Sequence, residues 1–358
     1  MVTGLMQSQS SNPTQWTAHI ESKAQYAQST EARFTRWLEN VFLNGQKLYE
    51  PLILSALKHW GCAEVELALD TSMLFEHYCM IRIVLLYRGR GVTIAWEVIE
   101  HHSASVDLAQ LLEVLDTAKT ILTRAGIPKV TLLADRGFAD TALMAYLKAL
   151  KWSFIIRIKA SFGLYSPSGA LLCKVGQVAL RVGQSKHYHN VFLTKKLFGL
   201  VHVGLARVPG TQEPWFIVSD QPTSNASFRI YGKRFDIEQV FKDDKSAGFD
   251  LEQSGLRDAS KLNRLMTVLV IVMLLLVAEG TRVVQSGWRR VVDGHWFRGL
   301  SYLQLGWRYV RYALVHGKDF LVGLNLLGGV DPDPSRKKKS WLDLVAGLKC
   351  QTMVFRVP

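Results

Sequence analysis

Cysteine is scarce in this chain. The four present in 358 residues, Cys62, Cys79, Cys173 and Cys350, are far apart, and no CxxC pair occurs. That excludes a thiolate zinc site and a disulfide framework, and it favours a reducing compartment, the cytoplasm. A basic-then-apolar leader is missing too: the opening MVTGLMQSQSSNPTQ reads as a polar tail. Apolar runs long enough to span a bilayer are also absent. LMTVLVIVMLLLVA (265–278) comes nearest, but its 14 residues fall short of the ~20 required, so a buried core helix is expected and no membrane partner. Acidic residues are outnumbered, 30 against 43 basic ones, for a net charge of +13. Such an excess suits a polyanionic partner, most simply nucleic acid, with an acidic lipid surface as the other member of the class. No internal repeat breaks the chain into modules.

What is present is a core. At 48% hydrophobic content the chain can bury one, and its length suits two or three domains or a large domain carrying an insertion. Helical spacing dominates 17–61, where Phe34, Trp37, Leu38, Val41 and Phe42 recur up to a C-cap at Asn44-Gly45 and Pro51 opens a second helix. This helical pair is either a cap on the core or a DNA-reading unit. Alternation then takes over. EVELALD ends at Asp70, and YCMIRIVLLY (78–87) and VTIAWEVI (92–99) follow as an antiparallel meander. An amphipathic helix with Ser103 or Ser105 as N-cap carries Leu108, Leu111, Leu112, Leu115 and Leu122. A short strand, 130–134, leads into Asp135; a helix capped by Asp140 and a strand at 154–158 follow. This order predicts an α/β fold, a mixed sheet flanked by helices. Strand and turn signals fill 161–222 as a β-rich insertion, and the C-terminal region is basic and aromatic, with a basic run from Arg336 to Lys339. Five segments are expected: 1–62, 63–160, 161–222, 223–282 and 283–358.

The segment 231–245, YGKRFDIEQVFKDDK, draws the chemistry together. As a single helix at ~100° per residue, it would set Tyr231, Arg234, Glu238 and Lys245 within an arc of roughly 60°. A carboxylate between two cations and a phenol fits a face that meets a metal ion and phosphates. It also fits a solvated face of ordinary ion pairs. Asp70 and Asp135, each ending a strand, read as turn formers alone. With Glu238 they make a set of hard oxygen donors of the kind that Mg²⁺ or Mn²⁺ takes, and two such ions drive in-line phosphoryl transfer.

Tyr, two residues, Arg, three residues, Glu, six residues, Lys is the YREK spacing, and the chain resembles bacterial insertion-sequence transposases of the DDE class through it. LALDTS around Asp70 and LLADRGFAD around Asp135 are similar to that family's first and second aspartate motifs. The resemblance implies a ribonuclease-H-like core interrupted by the β-rich insertion, with helical N- and C-terminal regions. Asp70, Asp135 and Glu238 would hold two Mg²⁺ ions, with Mn²⁺ as substitute, for cleavage at insertion-sequence ends and strand transfer into target DNA. It further implies backbone contacts from Tyr231, Arg234 and Lys245, with Arg136 and Arg157 as further DNA-contacting candidates. Trp215 is either a stacking surface for a flipped base, which needs an exposed ring, or core. Double-stranded DNA as partner, a homodimer on paired ends and a nucleoid-associated bacterial location complete the expectation. A metal-dependent nuclease without strand transfer and a non-catalytic DNA-binding descendant remain the alternatives.

Overall fold

The structure is a computed structural model that describes residues 1–335 and 341–357, so the basic run at 336–339 lies outside the described residues. Helices α1 (Val2–Ser8), α2 (Ala27–Glu39) and α3 (Gly45–Leu57) lead into strands β1 (Glu64–Leu74), β2 (Tyr78–Tyr87) and β3 (Arg90–Glu100). Then come α4 (Leu108–Arg124), β4 (Lys129–Ala134), α5 (Thr141–Ala149) and β5 (Ser153–Arg157). Five strands follow: β6 (Gly163–Tyr165), β7 (Leu171–Lys174), β8 (Gln184–Leu193), β9 (Phe198–Arg207) and β10 (Trp215–Ser219). After them run α6 (Asn225–Gly232), α7 (Asp236–Lys242), α8 (Ala259–Gln285), α9 (Arg289–Val292), α10 (Tyr302–His316), α11 (Trp341–Ala346) and β11 (Lys349–Val354).

Two compact units form, each from three stretches of chain. One takes Met1–Ala63, Asp70–Pro128 and Asp236–Arg336; the other takes Glu64–Leu69, Lys129–Phe235 and Lys337–Pro358. The chain therefore changes unit inside β1, at Asp70, and inside the YREK segment, at Asp236.

In the first unit β2 and β3 pair antiparallel, as the alternation predicts, and α8 is the central element. The helix runs for 27 residues, far beyond the 14-residue apolar run, so length alone does not separate it from a membrane span. Burial does: most of its apolar window lies inside the unit, packed on α1, α2, α3, α10 and β3. Asn263 of α8 takes both backbone groups of Val98, donating to its carbonyl at 2.8 Å and accepting from its N–H at 2.9 Å, which pins α8 to β3. Gly280 and Gly306 let α8 and α10 approach backbone to backbone. A Cβ at Gly280 would lie 1.9 Å from the Tyr302 carbonyl oxygen, and one at Gly306 1.9 Å from that of Leu276. Gly280→Ala should therefore push the helices apart and cost roughly 1–3 kcal/mol, read as a lower denaturation midpoint with an unchanged slope.

The second unit holds a mixed sheet. The Glu64–Leu69 half of β1 pairs parallel with β4, and β4 pairs parallel with β5. β10 lies antiparallel on β5, then β9 on β10 and β8 on β9, with β6 antiparallel and β11 parallel to β8. The β-rich segment is thus no separate body: through β10 it extends the sheet of β1, β4 and β5.

Several local expectations are corrected. The opening residues are not a polar tail; Leu5 and Trp16 are fully buried, and the Trp16 indole donates to the Ser10 carbonyl at 2.6 Å. Asn44 is the N-cap of α3, not the C-cap of the preceding helix, since its side chain accepts from the Lys47 N–H; Pro51 lies inside α3. Phe42 is 93% exposed, outside α2. Asp107, boxed with Gln110, caps α4 instead of Ser103 or Ser105. Asp140 caps α5 as expected, accepting from the Ala142 N–H.

Candidate active site

The parallel register of β1 on β4 ends at Leu69 opposite Ala134, and the next residue on each strand is an aspartate, Asp70 and Asp135. Asp135 follows β4 as expected and stands just before a short 3-10 turn, Arg136–Phe138, with no side-chain hydrogen bond to it. Asp70 does not end its strand: β1 continues to Leu74, because Thr71, Ser72 and Met73 stay extended. The Asp70 carboxylate accepts the Thr71 N–H at 2.9 Å.

The YREK segment is not one helix. α6 stops at Gly232, a 3-10 turn covers Lys233–Phe235, α7 runs from Asp236 to Lys242, and a π-helical turn covers Asp243–Ala247. The changes of pitch remove the single face computed for a regular helix; irregular turns of this sort concentrate at functional sites. Tyr231 and Arg234 belong to the second unit, Glu238 and Lys245 to the first.

In the second unit Tyr231 is 0% exposed: the ring is core, edge-on to Trp215 at 5.6 Å. Its hydroxyl points at Asp135 Oδ1 from 3.5 Å, the far end of hydrogen-bond range, and burial pushes the phenol up to about 12, so it stays a proton donor. Arg234 is also buried, with its guanidinium 4.7 Å from the Phe235 ring. Trp215 is 5% exposed and packs on Tyr231 and Phe235, so it offers no open face to a flipped base. The apolar positions of a strand buried along its whole length take it into the core.

Around Asp135 a cleft of 740 Å³ opens, lined by Arg136, Arg157, Lys159 and Glu213 with Gly137, Ile158 and Phe216 among others. Arg136 is half-exposed and Arg157 mostly covered; both pair with Glu213. Glu213 had no signal in the sequence, since a lone acid before Pro214 in a turn has no periodicity to mark it.

In the first unit, α7 is seated by Ile237 and Val240, both fully buried. Val240 fits where Gly91 of β3 lacks a side chain: a Cβ there would come within 2.8 Å of Val240 Cγ2. Glu238, between these two anchors, is half-buried. Lys245 donates to the Met73 carbonyl and stands 4.0 Å from Glu252, so it is engaged within its own unit. The preceding acids are held as well: Asp243 pairs with Arg90 at 2.5 Å, and Asp244, fully buried, with Arg82 at 2.6 Å. These two pairs escaped the sequence reading because their partners lie on β2 and β3.

Carboxylates are the donors a hard divalent ion takes. Among the described residues, however, no group of three or more His, Cys, Asp or Glu side chains is gathered to hold a metal ion. His187 and His189 both bond Thr223, the first at its hydroxyl and the second at its carbonyl, and burial lowers His187 to about 4.

A family model for the transposase DDE domain matches residues 76–275, more than half of the chain. This chain belongs to the DDE transposase family. The matched stretch takes in Asp135 and the whole YREK segment, and Asp70 lies just before it. Members of the family cut and join DNA and use divalent metal ions. Comparison with curated protein sequences gives no match. Among solved structures, this DDE transposase chain is similar to the piggyBac transposase in a synaptic complex with hairpin DNA, with a TM-score of 0.40 and 9% identity over 76% of this chain and 60% of that one. It is also similar to Marinitoga piezophila Argonaute bound to guide RNA and target DNA, with a TM-score of 0.24 and 9% identity over 50% and 25% of the two chains. The chain thus spans 60% and a quarter of the lengths of these two proteins, and at such scores neither likeness carries an argument.

Proposed function

We propose that this DDE transposase is of the bacterial YREK type, and that it cleaves double-stranded DNA at the ends of an insertion sequence and joins those ends to target DNA. The observation that carries this reading is the pair of aspartates following the matched ends of two parallel strands, with the second facing a cleft lined by Arg136, Arg157 and Lys159. Parallel β1, β4 and β5 in the second unit, and the antiparallel β2–β3 hairpin in the first, support a ribonuclease-H-like core.

In this reading Asp70, Asp135 and Glu238 are the metal-holding acids. Bound Mg²⁺ or Mn²⁺ would supply activation of a water or 3′-hydroxyl and neutralise the leaving oxygen. The chain's own residues do the rest. Tyr231, kept protonated by burial, orients Asp135 from behind, and the cationic rim of the cleft takes the phosphates of the strand. A homodimer on paired ends follows from the need for an active site at each end, and the setting is the bacterial cytoplasm at the nucleoid.

The test is an assay of the full chain, with Mg²⁺, on DNA carrying the element's own termini beside an unrelated target duplex. Metal-dependent cuts at the termini together with joined products are the expected result. Cuts without joined product would make it a nuclease, and the absence of both would leave a DNA-binding protein only.

A further inference from the structure

Between β9 and β10 a short turn carries Glu213, an acid set among the cations of the cleft. Its Oε2 alone accepts from two guanidinium groups, Arg136 Nη1 at 3.1 Å and Arg157 Nη2 at 2.9 Å. The two arginines come from different places, the turn after β4 and the end of β5, and this oxygen is where they converge. The turn is braced: Thr211 Oγ1 donates to the carbonyls of Val208 and Glu213, and Arg157 Nη2 also reaches the Pro214 carbonyl at 3.4 Å. Lys159 and Asp135 line the same cleft. An anionic oxygen gripped by two guanidinium groups is the geometry in which arginines take a phosphodiester.

The Glu213 side chain is 56% exposed, and ion pairs at such a surface are weak and easily exchanged. A carboxylate on a turn can swing into water; Arg157, mostly covered and tied to Pro214, cannot follow it.

We propose that Arg136 and Arg157, with Lys159 beside them, form a seat for one phosphodiester of a nucleic acid strand, and that the Glu213 carboxylate occupies this seat until a strand displaces it. The proposal rests on the reading of the cleft as the DNA-contacting face and names the group that regulates it. DNA must compete with a tethered acid, so an isolated phosphate contact gains little. A strand that also engages the rest of the protein gains the full grip. Removing the charge at Glu213 therefore strengthens binding, which is the opposite of what loss of an ordinary surface contact does.

The experiment measures binding of the full chain to a labelled generic duplex by fluorescence anisotropy across a salt series, with metal left out so that cleavage does not interfere. Glu213→Gln should bind about five-fold tighter at low salt, the worth of two weak ion pairs. Its log K against log salt should steepen by roughly one, because no carboxylate is freed on binding. Glu213→Asp, which keeps the charge on a shorter arm, should fall between, and it serves if the first variant folds poorly. Arg136→Ala with Arg157→Ala should lose binding. If the arginine variant binds weakly but both Glu213 variants match the wild type in affinity and slope, the competitor role is overturned and the cleft remains a DNA contact. If the arginine variant binds like the wild type, the cleft is not where DNA sits, and both ideas fail.

Discussion

Glu238→Gln should abolish metal-dependent DNA cleavage, with a fall of about three orders of magnitude, while binding to the same duplex stays within about two-fold. The size follows from losing several kcal/mol of charge stabilisation in phosphoryl transfer, at 1.4 kcal/mol per tenfold. The amide matches the carboxylate in shape but is neutral and binds a hard cation poorly. α7 is held by Ile237 and Val240, on the faces that meet the core, and neither is altered. Val240 stays in the space left by Gly91. Cleavage by the variant at the wild-type rate would remove Glu238 from the active site, and with it the proposed acid triad. Equal loss of cleavage and of binding would instead indicate a damaged fold, which a melting curve would reveal.

Arg82→Ala should cost about 3–5 kcal/mol of stability, read from denaturant unfolding, because it strands a buried carboxylate. Arg82 and Asp244 are both fully buried and 2.6 Å apart, and the guanidinium also lies 5.4 Å from the Phe241 ring and 3.2 Å from the Met80 sulfur. Yet Arg82 Nη1 and both Asp244 oxygens lack an aligned hydrogen bond among the described residues. Burial therefore outweighs the attraction of Arg82, and the Asp244 carboxyl is raised to about 6. The sign follows from linkage. A carboxyl that holds its proton more tightly folded than unfolded makes stability fall as pH climbs from the unfolded value of 3.8 to about 6, with no further change above. Asp244→Asn should flatten that part of the stability profile. Arg82→Met combined with Asp244→Leu should recover most of what Arg82→Ala loses, since a packed apolar pair carries no desolvation cost. If Arg82→Ala unfolds at the wild-type midpoint, the pair contributes nothing to anchoring the turn that carries Lys245.

How far the sequence could be read depended on whether a feature was local. β2, β3, β4 and β10 are recognisable from short runs of strand-forming residues, and α5 from its Asp140 cap, because strand and cap signals sit within a few residues. The YREK spacing was visible for the same reason. Its geometry was not: a spacing that assumes 3.6 residues per turn cannot foresee a 3-10 turn at Lys233–Phe235 or a π turn at Asp243–Ala247. In the π turn Asp243, Asp244 and Lys245 bond Arg90, Arg82 and the Met73 carbonyl, all distant in the chain. Trp215 shows the same limit, since an aromatic in a strand shows its face only once its neighbours, here Tyr231 and Phe235, are placed.

By itself, the order of residues determined the chemistry on offer: three oxygen-donor acids in motifs that resemble the family's, and a surplus of positive charge. Tertiary structure alone decided which of those groups face solvent and which are core. It buried Tyr231 and Trp215, turned the extra strands into an extension of one sheet, and set Glu213 on the arginines beside Asp135. The reason is that donor type belongs to a single residue, whereas exposure and pairing belong to residues far apart in the chain that burial brings together.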